Sequence, residues 1–164
     1  MEYFVMEDSN ELNLKKPNIP SAKTFENKAY MEVLLTDSCD FSDIFYSKVW
    51  FVSEKFKKII EAYDPDIFGG TLVLINHKSQ KKKIYFQMNL YTKDCLNKDS
   101  KFNRDGFIED LVLNRKEIGP FKIFKIKNKI QEFSIVSLYI VEKILRENIV
   151  GLRFKKIKVG LDNV

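Results

Sequence analysis

Residues 71–91 open with Thr71-Leu72-Val73-Leu74-Ile75, turn through Asn76 to Lys82, and continue as Lys83-Ile84-Tyr85-Phe86-Gln87-Met88-Asn89-Leu90-Tyr91. The first run is almost continuously apolar. In the second, Ile84, Phe86, Met88 and Leu90 alternate with Tyr85, Gln87, Asn89 and Tyr91. A period of two is the signature of a strand with unequal faces. With a polar turn between them, the runs read as an antiparallel hairpin, Ile84, Phe86, Met88 and Leu90 making its dry face.

Upstream of Gly69-Gly70 the period is helical. Phe56, Ile59, Ile60 and Tyr63 fall at spacings of three and four, with Lys55, Lys57, Lys58 and Glu61 off the stripe. Ser53 suits the N-cap, Glu54 suits the positive end of the helix dipole, and Asp64-Pro65 ends the pattern. A second helix is expected after Ser137, with Leu138, Val141, Ile144 and Leu145 as its stripe. Ser137 would be its N-cap, and Val136 with Val141 its hydrophobic staple.

Tyr3-Phe4-Val5, Ile108 to Leu113, Phe121 to Ile126 and Leu152 to Val159 read as strands. Residues 28–35 fit strand or helix, and Thr36 to Tyr46 reads as loop or irregular helix. A weak echo links Val52-Ser53, helix, glycine and strand to Val136-Ser137, helix, Gly151 and strand. Helices and strands do not alternate often enough for a doubly wound sheet. The expected fold class is α+β, a mostly antiparallel sheet with two or three packed helices. At 164 residues the chain is expected to be a single domain, residues 1–164.

Composition narrows the chemistry. Hydrophobic residues make up 45 %, enough for a core without disulfides or metal. One histidine and two cysteines, Cys39, His77 and Cys95, fall short of the four ligands of a structural zinc site. Any Ser-His-Asp or Cys-His centre would have to use His77, which sits in the hairpin turn. Ser53 has no base near it in sequence, and Asp94, Asp99 and Ser100 suit turn and capping hydrogen bonds better than a cation loop. The reading is a non-enzyme with no cofactor and no metal, its cysteines free thiols. No apolar run approaches a membrane span, so no membrane partner and a cytoplasmic location are expected.

Charge divides unevenly: residues 1–66 carry a net −5 and residues 67–164 a net +10. Lys78, Lys81, Lys82 and Lys83 crowd the hairpin tip but lack the interleaved aromatics of a nucleic-acid platform. Nucleic acid is therefore an unlikely partner, and a small nucleic-acid-binding module using the basic C-terminal half is the alternative. The stretch from Glu32 to Lys48 holds Asp37, Asp40 and Asp43 among Phe41, Phe45 and Tyr46. Carboxylates that steer and rings that anchor suit a protein interface, so these six residues are the expected partner contact. Trp50, between Val49 and Phe51, reads as core.

Four passages, spread over residues 49–159, resemble one bacterial family. They are Val-Ser-Glu-Lys-Phe-Lys-Lys-Ile-Ile at 52–60, Ile-Tyr-Phe-Gln-Met-Asn-Leu at 84–90, Asp94-Cys95-Leu96 with Asp99-Ser100, and Ile-Phe-Lys-Ile at 123–126 followed by a helix and Gly151-Leu152-Arg153-Phe154. The chain is similar in these to the polymorphic-toxin immunity proteins numbered eleven, departing from them at Ser137-Leu138, where the family usually has Ser-Glu. The resemblance implies an immunity protein that binds and blocks a cognate toxin of the same cell. It does not imply what that toxin does.

Overall fold

The computed structural model describes residues 1–9, 30–35 and 41–160. Its contacts gather into two units. Unit 1 comprises Met1–Glu7, Leu90–Lys143 and Arg153–Val164; unit 2 comprises Asp8–Asn89 and Ile144–Leu152.

In unit 2, β3 (Ile44–Ser47) and β4 (Val49–Ser53) form a tight hairpin, with Lys48 in the left-handed region at φ 62°. The Ser53 hydroxyl accepts the N–H of Phe56 at 3.3 Å and opens helix α1 (Glu54–Glu61), which buries Phe56, Ile59 and Ile60. A 3-10 turn, Pro65–Ile67, leads into β5 (Phe68–Asn76), and β6 (Lys82–Met88) returns antiparallel to both β5 and β4. With β2 (Tyr30–Leu35) parallel to β5, the sheet order is β2-β5-β6-β4-β3. Residues 30–35 are therefore strand. The stretch expected to be loop or helix up to Tyr46 already enters β3 at Ile44, because Ile44 and Phe45 find partners in Val52 and Phe51.

The hairpin at 71–91 is present, but its dry face differs from expectation. Ile84 is 51 % exposed, whereas Tyr85 is 1 % exposed inside a cluster with Phe45, Phe51, Leu72 and Leu74. β6 is a central strand buried on both sides over its second half, where Gln87 and Met88 are both buried. Alternation alone does not rank two covered faces.

A second five-stranded sheet, most of it in unit 1, repeats this plan. β10 (Ile123–Lys127) and β11 (Glu132–Ser137) form a hairpin; α3 (Leu138–Arg146) and β12 (Leu152–Gly160) follow. The strand beside β11 is β1 (Tyr3–Asp8), antiparallel to it. Glu2 bonds Lys156 and Glu7 bonds Arg153, so β1 runs against β12 as well. β9 (Val112–Asn114) lies parallel to β12 at the edge, and the order is β9-β12-β1-β11-β10.

Position by position, β1 replaces β6. Tyr3 stands opposite Ser137 as Tyr85 stands opposite Ser53. Tyr3 Oη donates to the Phe121 carbonyl at 3.2 Å, two residues before Ile123; Tyr85 Oη donates to the Ser42 carbonyl at 2.6 Å, two residues before Ile44. Tyr3 meets Phe124 edge-on at 5.9 Å, and Tyr85 meets Phe45 edge-on at 5.0 Å. The strands themselves read Tyr3-Phe4-Val5-Met6 and Tyr85-Phe86-Gln87-Met88.

Two expectations about α3 need correction. Its buried stripe is Ile140, Val141 and Ile144, while Leu145 is 61 % exposed, in the place that Glu61 holds on α1. The Ser137 hydroxyl is fully buried and makes no hydrogen bond, so it does not cap the helix; the Leu138 N–H donates instead to the Glu2 carbonyl at 2.9 Å. The single strand expected from Ile108 to Leu113 is two, β8 (Ile108–Asp110) and β9, and β8 forms a small antiparallel hairpin with β7 (Lys101–Phe102). The short helix α2 (Arg115–Ile118) follows β9. Overall the chain is α+β and rich in sheet, each five-stranded sheet being antiparallel apart from one parallel edge pair.

Candidate partner-binding surface

Of the six residues expected to meet a partner, Asp37 and Asp40 lie outside the described residues. The other four are drawn into unit 2. Phe45 is 6 % exposed, stacks on Phe51 at 5.3 Å and receives the edge of Tyr85. Phe41 packs half-buried against the same cluster, and Tyr46 meets the ring of buried Trp50 edge-on at 5.1 Å.

Asp43 ties three segments together. Its Oδ1 lies 3.5 Å from Lys83 Nζ and its Oδ2 accepts the Val150 N–H at 3.1 Å. Its own N–H donates to the Val150 carbonyl at 3.2 Å, and its carbonyl accepts the Ser53 N–H at 2.6 Å. Gly151, at φ 110°, lets this closure happen: a Cβ there would stand 2.7 Å from the Ile44 carbonyl oxygen.

Part of the basic half is internally matched. Arg153 bonds Glu7 at 3.0 Å, Lys158 bonds Asp110 at 2.8 Å, Lys125 bonds Glu132 at 3.2 Å, and Lys156 bonds Glu2. The Lys158 hydrogen bond first, opposed by burial and joined by the charges of Lys158, Lys101 and Lys155, holds the Asp110 carboxyl below its ordinary range. Two rings of unit 1 carry ammonium groups on their faces: Lys93 lies 4.4 Å above Phe121, and Lys122 and Lys143 lie 4.8 and 5.1 Å from the Tyr139 centroid. Faces covered in this way are poor stacking platforms for bases.

The chemical candidates sit in structural roles. His77 is exposed in the β5–β6 turn, where its carbonyl accepts the Gln80 side chain at 2.7 Å. Ser100 Oγ donates to the Val112 carbonyl at 3.0 Å and accepts its N–H at 3.1 Å, while Asn97 Oδ1 takes the Asp99 N–H at 2.9 Å. Cys95 is a free thiol, 1 % exposed. Burial first, with Asp94 and Glu117 adding and Lys93 opposing, pushes its pKa up to about 11, so it is a poor nucleophile near neutrality. Among the described residues no group of three or more His, Cys, Asp or Glu side chains is placed to hold a metal ion, and no helix is long and apolar enough to cross a membrane.

One surface of unit 1 escaped the sequence reading. The turn 103–107 is closed on Asn103, whose Oδ1 accepts the N–H groups of Asp105 and Phe107 at 3.0 and 2.9 Å. The β10–β11 turn is closed on Asn128, whose Oδ1 accepts those of Ile130 and Gln131 at 2.8 and 2.6 Å. The turns are joined: Gln131 Oε1 accepts the Ile108 N–H at 2.6 Å, and Asn128 Nδ2 donates to the Gly106 carbonyl at 3.5 Å. The tip of Ile130 lies 3.2 Å from where a Gly106 Cβ would be. On and beside these turns Phe102, Phe107 and Ile130 are 50, 41 and 49 % exposed. The legible signal was a pair of Asn-led turns carrying large apolar residues where polar ones are usual.

The immunity protein family Imm11 matches residues 32–159. The matched span begins earlier than the four passages and takes in the acidic stretch. None of the curated proteins compared with the chain matches it.

Proposed function

Because the chain belongs to the Imm11 immunity protein family, we propose that it neutralises a cognate bacterial toxin by stoichiometric binding, in the cytoplasm, without catalysis of its own. The family match over residues 32–159 carries this reading. The structural roles of Ser100 and Cys95 and the exposed position of His77 in a turn support the non-catalytic part. Internal pairing of Arg153, Lys156 and Lys158, and the lysine-covered rings of Phe121 and Tyr139, weigh against the nucleic-acid alternative. Asp43 and Phe45 serve the fold, so a docking contribution of the acidic stretch would rest on Asp37, Asp40 and the half-buried Phe41 and Tyr46.

The test is co-purification and titration calorimetry with the catalytically inactivated toxin from the neighbouring gene, alongside protection in a co-expression assay. A one-to-one complex, and full protection from His77→Ala, are expected. Protection at clearly substoichiometric amounts, or its loss in a folded His77→Ala, would overturn the reading.

A further inference from the structure

We propose that the two joined turns of unit 1 are the surface that docks the toxin, and that the toxin offers there an apolar cleft with an acidic rim. This inference rests on the neutralisation reading above and names its contact.

Three observations carry it. Phe102, Phe107 and Ile130 are large apolar side chains, each two-fifths to half exposed, at adjoining turns, whereas the other rings among residues 41–160 are buried or half-buried except Tyr91 and Tyr139. Clustered exposure of this kind marks interaction sites, whereas single exposed residues do not. The turns are also held in advance. Two asparagines and one glutamine fix their backbones with six hydrogen bonds, so little ordering entropy remains to oppose binding.

The third observation comes from the repeated plan. In unit 2, Ile44 pairs with Val52 eight positions on; in unit 1 the equivalent Ile123 pairs with Val136 thirteen positions on. The extra length forms the turn that displays Ile130. It lies beyond what the shared plan needs to close its hairpin, and loops carried on a rigid scaffold are where function concentrates.

Charge selects the partner. Lys101, Arg104, Lys127 and Lys129 flank the three apolar residues in sequence, are exposed, and stand in none of the ion pairs found among the described residues. Asp105 and Glu109 are the exposed acids of the same turns, and Asp110 is held by Lys158. The excess is positive, so an acidic rim around an apolar cleft is the complementary surface.

The experiment compares the full-length wild type with F102S/F107S/I130S and with K101E/R104E/K127E/K129E, against the catalytically inactivated toxin from the neighbouring gene. Circular dichroism and melting of each variant should match wild type, because the altered side chains are exposed. The apolar variant should bind ~30-fold or more weakly, the loss typical of removing aromatic anchors. The charge variant should chiefly slow association and flatten its salt dependence. Toxin binding by wild type with no change in either variant overturns the docking surface while leaving neutralisation intact; no binding by wild type overturns neutralisation itself. Loss confined to D37K/D40K would move the contact to the acidic stretch. A wild-type dimer that the apolar variant dissolves without loss of protection would assign the surface to a second copy.

Discussion

Ser53 and Ser137 hold the same place in two sheets of the same strand order, each ending a central strand and preceding a helix. Each donates its backbone N–H to an equivalent carbonyl, Ser53 to Asp43 at 2.6 Å and Ser137 to Lys122 at 2.8 Å. Only the Ser53 hydroxyl caps its helix; that of Ser137 is buried and unbonded. The difference teaches that the plan is held by its packed faces and strand register, since α3 forms without its cap. Local capping chemistry can then drift from one version to the other.

The largest test of that statement is to hollow equivalent cores. Phe45→Ala and Phe124→Ala remove rings at matching positions, 6 % and 0 % exposed. Each should cost about 3–5 kcal/mol in urea denaturation. A cost below about 1 kcal/mol at either site would show that its sheet does not depend on the shared face.

Alkaline pH should distinguish the cores next, because among the described residues only the unit 1 cluster contains a thiol. The Cys95 pKa is raised from its ordinary 9.0 to about 11 on folding. Between those values the unfolded chain releases a proton that the folded chain keeps. Stability should therefore fall as pH rises through this window, by up to about 1.4 kcal/mol per pH unit, and be unaffected by this group below pH 9. Melting curves for wild type and Cys95→Ala would read the difference; identical slopes would remove the thiol from the account. Burial likewise raises the phenol of Tyr3, so a smaller slope should persist in the variant.

Tyr85→Phe and Tyr3→Phe compare the two tyrosine hydrogen bonds. Loss of the 2.6 Å bond inside the unit 2 core strands a buried carbonyl and should cost about 1–3 kcal/mol. Loss of the part-buried 3.2 Å bond should cost about 1 kcal/mol or less. Equal costs in thermal unfolding would mean that the two hydroxyls are equally well seated.

The smallest effect carries the sharpest sign. Ser53→Ala should destabilise by about 1 kcal/mol through loss of the cap. Ser137→Ala removes an unpartnered buried hydroxyl and should be neutral or slightly stabilising. Destabilisation of both by similar amounts would break the distinction between them.

Much of the fold was legible where a residue's fate depends on its neighbours in sequence. The 3–4 spacing of Phe56, Ile59 and Ile60 and the Ser53 cap described α1 correctly, and the apolar run Thr71–Ile75 lies within β5. Legibility failed where a long-range partner decides. Tyr85 is inside because the Ser42 carbonyl and the Phe45 ring wait for it, and Asp43 is structural because Val150 folds back 107 positions later. The acidic stretch read as an interface by its composition, and composition cannot tell a ring that anchors a partner from a ring that anchors a hairpin. Phe102, Phe107 and Ile130 went unremarked for the converse reason: only the folded turns show that these apolar side chains stay exposed together.

By itself, the sequence determined the family, the α+β class, the first helix with its cap, and the central hairpin, because helical and strand periods and short-range capping are properties of adjacent residues. Only the tertiary structure decided that the chain builds one sheet plan twice. The strand that completes unit 1 is Tyr3–Asp8, which pairs with residues more than 120 positions away. The repeat of Tyr3-Phe4-Val5-Met6 in Tyr85-Phe86-Gln87-Met88 acquires meaning only through register, since hydrogen bonds between strands, unlike side-chain periods within them, leave no local mark on the chain.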